Sequence, residues 1–435
     1  MKNLIRIITI TAFTVLLTNS AKAQSQISFF HLGDYVQQSI DVSPVYIPKN
    51  SFSFGLPGVS ISSNLGFSPS DLLTEIPGSN KLELNYGNVK NKVEGDDINT
   101  SVITNFNILN LAFKRNHGSL SFFVNLKNNT NWGMSKNGLL NLLDDGLAKP
   151  NNTILLNDDI HTTTYVESGF GFTQQFLNDK LAVGIRVKYL LGINDGATNK
   201  DGEAQVDINN DYSWTINTNN AYAMSAGYNG EDIEHISFKN AGIGFDIGAS
   251  YEIIPNLVIE AAVNDIGSIT WKDNLREYYL EDVSNLEYVG TDLNSDNDVL
   301  EELEKLTEEG NLEVGEREGE SYKTSLATTS YVSGSYKLSK IHQFRVTVFN
   351  NHQFTDRESV VALGYNVDLK NTTYGLVGIK NDQGKIDYGL NLATKLGPLQ
   401  FYLATDNFNK IFGPLEDINQ LSFRTGVNFV FGYKK

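Results

Sequence analysis

The residues with the clearest potential for chemistry are few. Asp292, Asn294, Asp296 and Asp298, within DLNSDND, place oxygen atoms at alternate positions, as the first half of a calcium loop does. The turn position of such a loop is Asn297 instead of Gly, and its twelfth position is Leu303 instead of a bidentate Glu. A water-solvated acidic loop accounts for the same residues. The six histidines (His31, His117, His161, His235, His342, His352) show no metal-ligand spacing, and without cysteine the chain has no thiolate site and no disulfide. No nucleophile-elbow pattern occurs. The expectation is a protein without catalytic, cofactor-binding or metal-ligating residues, and not an enzyme.

A second set of residues is more informative. Glu167, Arg186, Lys188, Asp246, Glu260, Arg345 and Arg424 each lie within a run of alternating polarity, on the face opposite the more apolar one. The final run shows the pattern best. From Leu421 to Tyr433 the odd positions are Leu, Phe, Thr, Val, Phe, Phe and Tyr, and only one even position, Val430, is apolar. A period of two is a strand with one apolar face. A soluble sandwich would turn that face to its core, whereas a membrane barrel turns it to lipid and its polar face to the lumen. In a barrel the seven charged residues become lumen-facing candidates, because Arg or Lys toward mid-bilayer lipid costs ~2–4 kcal/mol. Their mixed signs suit paired charges filling the interior, or a lining for a polar solute.

The connections separate sandwich from barrel. Alternating runs are expected at Lys81–Val89, Asn99–Phe113, Ser119–Asn131, His161–Phe176, Leu181–Leu191, Ala241–Ile253 and Leu257–Trp271. They continue at Ser325–Leu338, Ile341–Asn350, Ser359–Leu369, Thr373–Lys380, Lys385–Leu396, Leu399–Thr405 and the final run, fourteen in all. Short turns such as Asn178–Asp179 alternate with longer links such as Trp132–Ile160, Gly192–Asn240 and Lys272–Thr324. That sorting belongs to outer-membrane barrels, with short periplasmic turns and long outer loops. Within the loops, Ser135–Leu147 reads as a short helix, and Gly202–Ile216 as a hairpin extension or an additional strand. Arg276–Glu320 carries 16 acidic residues and a second short helix, and offers a docking site for a surface or secretion partner.

Residues 1–23 read as a secretory leader, with Lys2 and Arg6, an apolar Ile7–Leu17 and cleavage after Ala23. The mature chain would hold 31 basic and 51 acidic side chains, which argues against nucleic acid as a partner. No later stretch reaches the ~20 apolar residues of a membrane helix. The expected organisation is therefore a leader (1–23), a first segment (24–80) that is either hatch-like or a first strand with its loop, and a barrel (81–435) with an acidic outer insert (272–324). The expected fold class is all-β, a transmembrane outer-membrane β-barrel of about fourteen antiparallel strands.

Several segments carry a resemblance. LAVGIRVKYLLG (Leu181–Gly192), GIGFDIGASYEIIPNLVIEAAVNDIGSITW (Gly242–Trp271), GPLQFYLATDN (Gly397–Asn407) and GVNFVFGYKK (Gly426–Lys435) resemble an uncharacterised Bacteroidota family of outer-membrane proteins. That family is similar in architecture to FadL-type transporters and to PorV of the type IX secretion system. The FadL likeness implies fourteen strands, an N-terminal hatch and lateral passage of small hydrophobic molecules into outer-membrane lipid. Where such hatches carry Asn-Pro-Ala, this chain has Ser43, Pro44 and Val45, keeping only the proline. The PorV likeness implies a non-transporting barrel that holds a surface or secretion partner.

Overall fold

Fourteen staves pair antiparallel and close into a barrel. They are β1 (Phe52–Gly55, continuing as Gly58–Asn64), β2 (Asp97–Arg115), β3 (Gly118–Ser135), β4 (Asp159–Phe176) and β5 (Leu181–Thr198). There follow β6 (Ala241–Ile254), β7 (Leu257–Trp271), β8 (Thr328–Lys337), β9 (His342–Gln353) and β10 (Asp356–Asp368). The last are β11 (Thr372–Asn381), β12 (Ile386–Leu396), β13 (Leu399–Thr405) and β14 (Gln420–Phe431). Closure runs through β1, which pairs β14 on one side and β2 on the other (Val59↔Thr425, Val59↔Phe106). This computed structural model describes residues 26–432 apart from 77, 80, 93–96, 145, 228–236, 290–311, 354–355, 382–383, 385 and 412–417. The leader, the DLNSDND motif and the acidic-loop helix lie outside the described residues.

One expected stave is wrong and another replaces it. Lys81–Val89 is not in the wall: Leu82–Leu84 pairs with Leu73–Glu75 in a separate hairpin, and Tyr86–Lys92 is helical. Leu82 and Leu84 are exposed, so their alternation has no wall behind it. The fourteenth stave is β1, which falls in the strand-like run near Ser51–Phe67 that the first-strand reading of segment 24–80 rests on. Leu56–Pro57 interrupts it because proline cannot donate to a ladder.

The wall is inside out relative to a soluble protein. Along β5, Val183, Ile185, Val187 and Tyr189 are exposed while Arg186 and Lys188 are buried. Phe170, Leu363, Leu376 and Phe401 continue the exposed apolar surface around the barrel. Water would penalise so large an apolar belt, whereas lipid accepts it. Among the described residues no helix is long and apolar enough to cross a membrane.

Short turns gather at one end with both ends of the sheet (Phe52↔Phe431). At the other end a second sheet of four strands (Asn152–Leu156, Glu203–Ile208, Ser213–Asn219, Leu286–Val289) stands on its own core of Ile154, Val206, Ile208, Trp214 and Ile216. The Gly202–Ile216 region thus joins this outer sheet and adds nothing to the barrel. Between it and the barrel, Tyr222–Gly227 and Arg276–Leu280 pair with each other and extend the rim above β5. In the other long loop the helix is Leu139–Leu143, shorter than the Ser135–Leu147 expected.

Candidate functional site: the barrel interior and its outer cleft

Residues 26–50 fold into the barrel. Ile27–Phe30 forms one helical turn and Gln37–Asp41 a 3-10 turn. Ile27 and Phe30 pack on Ala262, Tyr331, Ala362 and Val377 of the wall, and Phe29, Leu32 and Val36 on Ala393, Tyr402 and Ala404. Small wall residues make this possible. A Cβ on Gly184 would lie 1.9 Å from the Pro44 carbonyl, one on Gly364 1.9 Å from His31 Nδ1, and one on Gly389 1.9 Å from Ser28 Oγ. Glycine in a strand marks such a close approach, and here it seats the segment on three staves.

Polar pins complete the seat. Arg424 pairs with Asp41, donates to Gln26 Oε1 (2.6 Å) and lies 3.8 Å over the Phe29 ring. Arg345 donates to the Phe30 carbonyl (3.2 Å). Ser43 Oγ donates to Glu260 (2.6 Å), as does Tyr331 Oη (2.5 Å). Pro44 O accepts from Thr173 (3.0 Å), and Val45 is buried beside Gly184. The Asp406 carboxylate, beyond the end of β13, accepts the amides of Ile27 (3.1 Å) and Ser28 (2.7 Å).

The remaining charged candidates meet in the outer half. Lys188 reaches Asp246 (2.9 Å), Asp265 (2.5 Å) and Glu167 (3.5 Å). Lys127 reaches Glu167 (3.1 Å) and Asp265 (3.4 Å), and Arg186 bridges Asp246 and Asn264 Oδ1 (2.9 Å). Three cations thus face three anions, all but Lys127 and Asp265 fully buried. Sequence reasoning missed Lys127 and Asp265. Lys127 was legible, standing opposite Leu120, Phe122, Val124 and Leu126. Asp265 was not: it sits at a break in the β6–β7 register with φ 59°, so its parity carries no information.

Buried Asp195 accepts from Thr163 (2.5 Å), Tyr322 (2.9 Å) and Thr324 (3.0 Å), with His161 Nε2 3.5 Å away. Thr163 Oγ1 and Asp195 both approach the same ring nitrogen of His161. Among the described residues no group of three or more His, Cys, Asp or Glu could hold a metal ion.

Among the described residues, three cavities lie near these features. One of about 290 Å³ lies at the short-turn end between Val42, Tyr46, Lys180 and Glu252, and one of about 120 Å³ in the outer half among Asn129, Asn264, Lys127 and Asp265. The third, about 380 Å³, is an outer cleft between the rim extension and the outer sheet. Leu156, Ile160, Tyr222, Tyr278, Tyr279 and Leu280 line it, and its surface is mainly apolar.

A model described as a family of unknown function (DUF5723) matches residues 44–406. The chain belongs to that family. No curated protein matches. Among solved structures this DUF5723 member is similar to the toluene transporter TodX of Pseudomonas putida, at 10% identity over 91% of this chain and 92% of that one, with a TM-score of 0.42. A FadL homologue of Pseudomonas aeruginosa is 9% identical over 87% and 89%, with a TM-score of 0.35. At such scores nothing about activity transfers.

Proposed function

We propose that this DUF5723 member is an outer-membrane barrel that binds small hydrophobic molecules at its outer face. The outer cleft carries the reading. Its 380 Å³ lies within the range of small-molecule sites, and its wall combines aliphatic side chains with three tyrosines that can meet a ring or a chain. The same reading has residues 26–50 close the barrel behind the cleft, supported by their pins to β7, β9 and β14. On this reading the protein meets apolar molecules outside its lumen.

The test is a fluorescence titration of mature protein in detergent with N-phenyl-1-naphthylamine. Saturable binding is expected, weakened at least tenfold (~1.4 kcal/mol) by Ala223→Phe, which fills the cleft. Equal binding by a folded Ala223→Phe variant would place the ligand elsewhere.

The outer sheet favours a second reading, a non-transporting barrel that scaffolds a surface or secretion partner. It has its own core above the rim, and Val289 on its terminal strand is 83% exposed. On that reading the probe does not bind.

A further inference from the structure

Of the seven charged residues that alternation puts on the inner face, Glu167, Arg186, Lys188, Asp246 and Arg424 pair with opposite charges. Glu260 and Arg345 have none within 4 Å among the described residues. Both line the 290 Å³ cavity at the short-turn end, Glu260 from β7 and Arg345 from β9. Glu260 accepts two hydroxyls, from Ser43 (2.6 Å) and Tyr331 (2.5 Å), both on Oε1. Arg345 donates to the Phe30 carbonyl (3.2 Å), and its Nε has no partner. Ser39 lines the same cavity and is 2% exposed, yet its Oγ makes no hydrogen bond. Native interiors pair their charges and satisfy their buried polar atoms. Here a carboxylate, a guanidinium and a hydroxyl stand unmatched around one space.

The other acids of this lining hold partners of their own. Asp34 meets Lys49 (3.0 Å) and Asp179 meets His117 Nδ1 (2.9 Å), both partners lying outside the lining. Glu252 Oε1 accepts the Asn256 amide (3.1 Å), and exposed Lys180 adds a positive charge to the same lining. Much of the remaining wall is apolar, from Phe30, Val42, Val45, Ile47 and Val258. A molecule that matches it carries an ammonium for Glu260 and a carboxylate for Arg345, whose guanidinium is suited to carboxylates. Its body is short and apolar, because the cavity is close to the lower bound of small-molecule sites, ~300 Å³. We propose that the short-turn cavity binds an α-amino acid with an aliphatic side chain, its ammonium on Glu260 and its carboxylate on Arg345. The site lies at the opposite end of the barrel from the outer cleft and does not depend on it.

Isothermal titration of the full mature protein in detergent tests this with three probes of one carbon skeleton. They are L-leucine, isoamylamine, which lacks the carboxylate, and isocaproate, which lacks the ammonium. Leucine should bind saturably, and each fragment at least tenfold more weakly. Glu260→Gln keeps an oxygen for Ser43 and Tyr331. It should weaken leucine and isoamylamine at least tenfold and leave isocaproate unchanged, whereas Arg345→Gln should spare isoamylamine and weaken the other two. A merely loosened fold would not split the fragments in this way. Val258→Phe alters no charge, fills the cavity from a half-buried position on β7, and should abolish leucine binding. Heat-modifiable gel mobility verifies that each variant is folded. Absence of leucine binding to wild type would overturn the proposal. So would equal affinity for isoamylamine, which signals a site for cations alone, or full leucine binding by folded Val258→Phe.

Discussion

Lys188 faces three carboxylates from β4, β6 and β7 within 3.5 Å, and it is the residue on which the outer-half cluster turns. Removing one partner of a buried ionic group strands the others at ~3–5 kcal/mol. Lys188→Met should therefore lower stability by that amount, read from the urea midpoint of tryptophan fluorescence. A loss under ~1 kcal/mol would mean that water already screens the cluster. Asp406 makes a second residue-scale prediction. Burial pushes its carboxyl up to about 6, against the two amides of the N-terminal segment that it accepts. The folded state then holds the proton more tightly than the unfolded one, whose carboxyl titrates near 4. Stability from this group is complete below pH ~4 and is lost as pH rises through 6, by up to ~3 kcal/mol. Melting of wild type across pH 3.5–7 should show that fall, and Asp406→Asn should flatten it. At this scale the sequence was readable only where alternation held. Glu167, Arg186, Lys188 and Lys127 stand on regular staves, whereas Asp41 and Asp406 lie off the strands and Asp265 at an irregularity.

The staves themselves were largely legible, because alternation reports which face meets lipid and needs no tertiary information. The failure was at Lys81–Val89, where a small hairpin imitates the period, while β1 was legible only as a strand-like run near Ser51–Phe67 because Pro57 breaks its alternation. What alternation does not convey is why glycines stand on the inner face. Gly184, Gly364 and Gly389 come from three separate staves, and their shared purpose appears only when residues 26–50 lie against them. Gly364→Val tests that seat. Its side chain would displace His31, so limited proteolysis in detergent should cut residues 26–50 at least tenfold faster while the barrel keeps its heat-modifiable mobility. Unchanged protection would mean that the polar pins alone hold the segment.

For the whole molecule, the sorting of short and long connections anticipated which end carries the structured part. Of the outer sheet only the hairpin within Gly202–Ile216 was legible, because the four strands come from three separate loops and pair with one another and not with the barrel wall. The outer cleft was not legible, since its lining is contributed by residues from Leu156 to Val314. On the proposed reading the barrel is closed by its own N-terminal segment and its apolar site lies outside the closure. Photolabelling with a small benzophenone, followed by peptide mapping, tests it most directly. The label should fall on peptides containing Tyr222, Tyr278 and Tyr279, and should be displaced by N-phenyl-1-naphthylamine. Labelling concentrated on residues 26–50 or on the inner faces of β2–β4 would put the apolar site inside the lumen and contradict the account.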